Sequence, residues 1–394
     1  VSVLPNVVIH ADWSLESKKQ IQASARRLPD GRFRIGATCG VRPAGSPGER
    51  LGLGRANTDT GLVGFDFPIG IPAGYARMLN QATNISSFRD ALAHFGSGKF
   101  CDFYKVCETA REISLYRPFY PYRPGGTERR HLEDALGLRG DQLFRQCERA
   151  TASRKAACPL FWTLGGNQVG KAALCGWKEF VEPMLRDRDG VGLWPFDGTL
   201  SELLATRQTV ILETYPAEFY GHLGVHFSSG DSKKSQRSRR KFAAQLLKEA
   251  STLNLVLDEA AANQISDGFG VGDAGEDHFD AMIGLFGMLK HLAYPPDVEV
   301  PSDPDIASFE GWIIGQAVPT FSGGKQELHA AGRNDARATT APAARTSPVG
   351  RPRPDRPPCL CGCGSYPRGK HSRFMPGHDQ RINPATNRRF NAHG

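Results

Sequence analysis

Residues 61–72, GLVGFDFPIGIP, constrain the fold more than any other stretch of the chain. Every position is apolar, glycine or proline except Asp66. The run has the composition of a buried strand that ends in a turn, and an ionised carboxylate is costly to bury without a partner. Either Asp66 caps a turn or pairs with a buried arginine, as structural carboxylates do, or it stands at the mouth of a site, where open sheets place their ligands. The choice depends on whether other carboxylates sit in similar contexts.

Several do. NVVIHAD (6–12) reads as a strand ending at Asp12, and TVILETYPAEFY (209–220) begins as a strand, carries Glu213 and breaks at Pro216. RFRIGATCGV (32–41) is a further strand, and LWPFDG (193–198) a strand end with its turn. DHFDAMIGLFGMLKHLA (277–293) predicts a helix, acidic at its start and basic at its end, and 239–262 predicts another. Asp277 and Asp280 share a helix face at i, i+3, where like charges repel. The helix dipole offsets about 0.3–1 kcal/mol per charge; a divalent cation would offset far more. Hard cations such as Mg²⁺ take carboxylate oxygens, and two of them together can activate water and stabilise the leaving oxygen in phosphodiester cleavage. Separate structural roles stay open for each residue: Asp277 as a helix cap, Glu213 as a turn residue, Asp12 as a strand-end charge.

The chain has 394 residues, of which 40% are hydrophobic, enough for one large domain or two smaller ones. No apolar run approaches a membrane span, and the start, VSVLPNVVIHADWS, lacks the basic and long apolar regions of a signal peptide. Of 9 cysteines, three crowd together at 359–363, an uneven set that argues against a secreted disulfide framework. A reducing, cytoplasmic setting with no membrane partner is expected. The net charge of +8 fits an anionic partner such as nucleic acid, although part of it lies in a basic tail.

SKKSQRSRRK (232–241) carries Lys233, Lys234, Arg237, Arg239, Arg240 and Lys241. These are candidates for contacting phosphates; a solvated loop leading into a helix would carry the same charges. The region 75–160 is mixed, aromatic and partly helical, and reads as an insertion on the core fold. Its YRPFYPYRPGG loop could stack on bases or pack over the core. Beyond about residue 330 the composition turns to proline, alanine and arginine, which reads as a disordered linker over 331–358. A small module follows at 359–394. Cys359, Cys361, Cys363 and His378 are a candidate structural Zn²⁺ set, with a C-x-C-x-C spacing that departs from the usual C-x-x-C. A basic tail with redox-labile thiols is the alternative.

The order HADWS, GFDFPIGIP, ETYPAEFY, then DHFDA before an apolar helix, with FWTLGGNQVGKAALCGW and WPFDG between, resembles domain-of-unknown-function family 429. That group is predicted to consist of RNase H-like nucleases. The resemblance covers about residues 6–295, and the D-x-x-D-A at 277–281 is also similar to the closing helix of Holliday junction resolvases. It implies an α/β domain over 1–330 with an RNase H-like mixed five-stranded sheet, flanking helices and a mostly helical insertion. It implies that Asp12, Asp66 and Asp280 hold Mg²⁺ or Mn²⁺, with Asp277 and Glu213 in support, for hydrolysis of nucleic-acid phosphodiesters. A non-catalytic nucleic-acid-binding protein and phosphoryl transfer to a small molecule are the alternatives. GGNQVGK (165–171) lacks the Walker spacing and the Ser/Thr after lysine that the last would want.

Overall fold

The computed structural model describes residues 3–53, 60–151, 156–164, 169–187, 190–272 and 274–319. The linker expected at 331–358 and the zinc set Cys359, Cys361, Cys363 and His378 lie outside the described residues. The chain divides into two units, Val1–Tyr122 with Arg129–Pro319, and Arg123–Glu128 with Thr320–Gly394. In the second, the described residues Arg123–Glu128 form an irregular stretch with Gly125 and Gly126 at positive φ. The first unit carries the sheet and its helices.

Its strands are β1 (Val7–Asp12), β2 (Ile21–Arg27), β3 (Phe33–Ile35), β4 (Cys39–Gly40), β5 (Gly61–Phe65), β6 (Val191–Leu193), β7 (Thr209–Glu213) and β8 (Val256–Leu257). The helices are α1 (Pro47–Leu51), α2 (Ala73–Thr83), α3 (Phe88–His94), α4 (Arg130–Leu136), α5 (Val169–Gly176), α6 (Glu182–Asp187), α7 (Leu200–Thr206), α8 (Pro216–His222), α9 (Gln236–Arg240), α10 (Ala243–Thr252), α11 (Glu259–Asp267) and α12 (Ala274–Ala293). The strands form one mixed sheet in the order β6-β7-β5-β1-β2-β3-β8, with β4 also on β2. Strand β2 runs antiparallel to β1, β3 and β4, whereas β1–β5, β5–β7, β6–β7 and β3–β8 are parallel pairs. The protein is therefore α/β, as expected, but the sheet has eight strands rather than five. The short strands β4, β6 and β8 have two or three residues each, too few to show an alternating pattern in sequence.

Two other expectations change. The helix expected over 239–262 is interrupted: Asn254 takes a left-handed conformation (φ 53°) after α10, and β8 then joins the sheet edge beside β3. Between β5 and β6 the chain runs through α2–α6 and several 3-10 turns, a segment that begins before residue 75 and continues past 160. Among the described residues, no helix is long and apolar enough to cross a membrane.

Both sheet faces are covered, so side chains alternate between two cores. Val7, Ile9, Ala11, Val63, Phe65 and Ile211 point into one, with α2, α3 and α5. Val8, Leu62, Val210 and Leu212 point into the other, with α7, α8 and α12. His10 shares this second face. Its Nδ1–H donates to the Ala281 carbonyl at 3.1 Å, and its ring lies against Gly284, where any Cβ would collide with imidazole atoms. That close approach sets α12 directly over β1, and it places the start of α12 beside the carboxyl end of the strand.

Candidate active site

Strand parity decides which carboxylates meet. Residues 8, 10 and 12 of β1 face α12, so Asp12 at the strand end faces it too. Strand β5 runs parallel to β1 with Ala11 opposite Phe65. Asp66 lies one residue beyond Phe65 and so turns to the α12 side, next to Asp12. The Trp13 N–H donates to Asp66 Oδ1 at 2.6 Å, which fixes the carboxyl across the two strand ends. The Trp13 ring drops into the opposite core, edge-on to Phe65, Phe67 and Phe180. Helix α12 brings Glu276, Asp277 and Asp280 to the same place. The result is a cleft of about 610 Å³ lined by Asp12, Asp66, Glu276, Asp277 and Asp280, with Lys19, Lys171, Lys233 and Tyr220 around them.

The carboxyls are crowded and partly buried. Burial pushes Asp12 well above the usual carboxylate range, and the charges of Asp66, Asp280 and Asp277 push it further. Burial also raises Asp66, to about 6. Asp12 and Asp66 stand side by side at the ends of the parallel strands β1 and β5. Asp277 is raised to about 6 by burial, then by Glu276 and Asp280. Burial raises Asp280 as well, while Lys233 and Tyr220 oppose the shift. Tyr220 O–H donates to Asp280 Oδ1 at 2.5 Å, and Lys233 Nζ donates to Oδ2 at 2.6 Å. Lys233 also pairs with Glu276 Oε1 at 2.9 Å. Burial alone would lower the lysine, but these two carboxylates outweigh it and hold the ammonium charged.

The chain matches no family model, no curated protein and no solved structure. Carboxylate oxygens are the ligands hard divalent cations take, and Asp12 and Asp66 line one cleft at neighbouring strand ends, where a cation could lie between them. Asp280, the third expected ligand, has both oxygens engaged by Tyr220 and Lys233. Among the described residues, no group of three or more His, Cys, Asp and Glu side chains is gathered closely enough to hold a metal ion.

Glu213 is not brought to the cleft. It stands opposite Phe65 in the β5–β7 register and so faces the other core. There Arg145, fully buried, binds it bidentately at 2.7 Å through both terminal nitrogens. Glu213 Oε2 also accepts from the Ile69 N–H at 2.7 Å. Its role is to hold the turn that follows Asp66.

The basic stretch behaves residue by residue. Arg239 is buried, and its guanidinium donates to the carbonyls of Gly268, Lys233 and Gly270. Arg240 pairs with Asp267 and Lys241 with Asp231. Lys234 and Arg237 are exposed. Lys233 alone of the six lines the cleft. Of the YRPFYPYRPGG aromatics, Phe119 and Tyr120 are buried, and Tyr122 is exposed. The sequence reading missed Tyr220, Glu276 and Lys171. The first two had a legible signal: Tyr220 lies within ETYPAEFY, and Glu276 lies one helical turn before Asp280.

Proposed function

We propose that the protein is a metal-dependent hydrolase of nucleic-acid phosphodiesters built on an RNase H-like core, as the family resemblance implies. The observation that carries this reading is the convergence of Asp12, Asp66, Asp277 and Asp280, from two central strand ends and one helix start, on a single cleft. A mixed sheet with helices on both faces supports the fold assignment. A divalent cation held by Asp12 and Asp66, with Asp280 nearby, would supply Lewis-acid activation of water and stabilise the leaving oxygen. The chain's own groups do the rest. Asp12 and Asp66 would present their carboxylate oxygens to the cation. Tyr220 and Lys233 orient Asp280. Lys171 and Lys19 line the cleft, where they can meet a phosphate.

The deciding experiment is cleavage of labelled single-stranded, duplex, hybrid and branched substrates with Mg²⁺ or Mn²⁺, comparing wild type with Asp12→Asn. Metal-dependent cleavage that falls at least about a hundredfold in the variant is expected, since even residues supporting a metal ligand are worth about ten- to a hundredfold. Equal cleavage by both proteins, or none by either, would overturn the reading. The placement of Asp12 and Asp66 together in the cleft, both raised by burial, favours a second reading, general acid–base hydrolysis by the pair itself. It predicts cleavage that persists in EDTA.

A further inference from the structure

Lys233 was expected to reach outward to phosphate, yet it points into the acidic cleft. Its ammonium bridges Asp280 Oδ2 at 2.6 Å and Glu276 Oε1 at 2.9 Å, two carboxylates one turn apart on α12. Like charges at that spacing repel, and the lysine sits where it cancels the repulsion. Its backbone is anchored. The buried Arg239 guanidinium donates to the Lys233 carbonyl and, on its other edge, to the carbonyls of Gly268 and Gly270 just before α12. The next residue is tied as well, with the Lys234 N–H donating to Ser232 Oγ at 3.2 Å. The loop is thus fixed to the same turn that starts the helix carrying Glu276 and Asp280. A solvated lysine would have no such mounting.

The cleft is consequently divided. On one side Asp280 and Glu276 are already bridged by a cation belonging to the chain. On the other, Asp12 and Asp66 line the cleft at the ends of neighbouring parallel strands, and among the described residues neither forms a salt bridge. We infer that Lys233 is the resident cation of the Asp280–Glu276 side, so that the cleft takes one divalent ion, on the Asp12–Asp66 side, where two would otherwise bind. This rests on the reading of the cleft as a metal-using site. Lys233 is then a positioning residue: it holds Asp280 and limits the charge the cleft can accept.

The test is Mn²⁺ titration of the full chain by calorimetry, without nucleic acid, on wild type, Lys233→Gln, Lys233→Arg and Asp12→Asn. Wild type and Lys233→Arg should bind one Mn²⁺ per chain. Lys233→Gln should bind a second, and Asp12→Asn should lose the first by about a hundredfold in affinity. The lysine side chain is 41% exposed, so its replacement leaves the core intact; circular dichroism on each variant checks this. Two ions in the wild type, or an unchanged single ion in Lys233→Gln, would overturn the inference while leaving the metal reading standing. No Mn²⁺ bound by any of the four proteins would overturn both.

Discussion

Glu213 and Asp66 end neighbouring parallel strands one residue out of step, and they are neutralised in opposite ways. Glu213 meets a guanidinium on the inner face. Arg145 binds Glu213 through two nitrogens and Glu148 Oε1 through a third at 2.9 Å, and its Nη1 also donates to the Glu310 carbonyl. Glu310 in turn accepts from the N–H groups of Ala73 and Gln146, at 2.9 and 2.8 Å. Gly70 belongs to the same knot: its φ of 142° suits glycine alone, and a Cβ there would strike the Glu310 carbonyl. Every charge in this cluster has a fixed partner. Asp66 instead meets another carboxyl, at the edge of a cleft. The inner cluster is closed and joins the turn after β5 to the 3-10 turn at Arg145 and the turn at Glu310. The outer one keeps unsatisfied negative charge where a ligand can reach it. Incomplete neutralisation, more than the presence of carboxylates, separates a site from a structural knot here.

The comparison can be broken most forcefully at Arg145. Arg145→Met leaves Glu213 and Glu148 buried without their cation, and should cost about 3–5 kcal/mol of unfolding free energy. Urea denaturation measures it; a loss below about 1 kcal/mol would mean that the cluster is not the fixed knot described.

The outer pair should show itself in acid. Burial raises Asp66 to about 6, against about 3.9 for an unfolded aspartate. A raised carboxyl holds its proton more tightly when folded, so its stabilisation is complete below about pH 4 and is lost as the pH rises through about 6. His10 works with the opposite sign. Burial lowers it to about 3, so stability is withdrawn as the pH falls below the usual histidine value of about 6.5. Comparing wild type with Asp66→Asn in EDTA at each pH removes the histidine contribution. Between about pH 7 and pH 4 the wild type should gain about 1–3 kcal/mol relative to the variant. A flat difference would show that folding does not raise Asp66.

The smallest effect sharpens the contrast. Asp12→Asn removes one of the crowded charges and brings N–H groups that can donate to Asp66. The metal-free variant should be as stable as the wild type or more so, by about 1 kcal/mol, as expected where a functional site is held at some cost to stability. Thermal melts in EDTA check this, and a loss of more than about 1 kcal/mol would place Asp12 with Glu213 among the structural carboxylates.

Much of the cleft was legible along the chain because its signals are local. Apolar strands ending at Asp12 and Asp66, and an apolar helix opening with Asp277 and Asp280, are patterns within single segments. Glu213 carries the same local pattern, and only the β5–β7 register separates it from the others. That register puts Glu213 level with Phe65 rather than with Asp66, and one residue's offset turns a side chain to the opposite face. The basic stretch teaches the same lesson. Its composition announced positive charge, but burial sent Arg239 to backbone carbonyls, and the loop's anchoring sent Lys233 to Asp280. The sequence by itself determined β1, β5, β7 and α12 and the charges at their ends, since these depend on neighbours within a few residues. The tertiary structure alone decided which charges meet, because strand register and loop anchoring depend on partners far away in the chain.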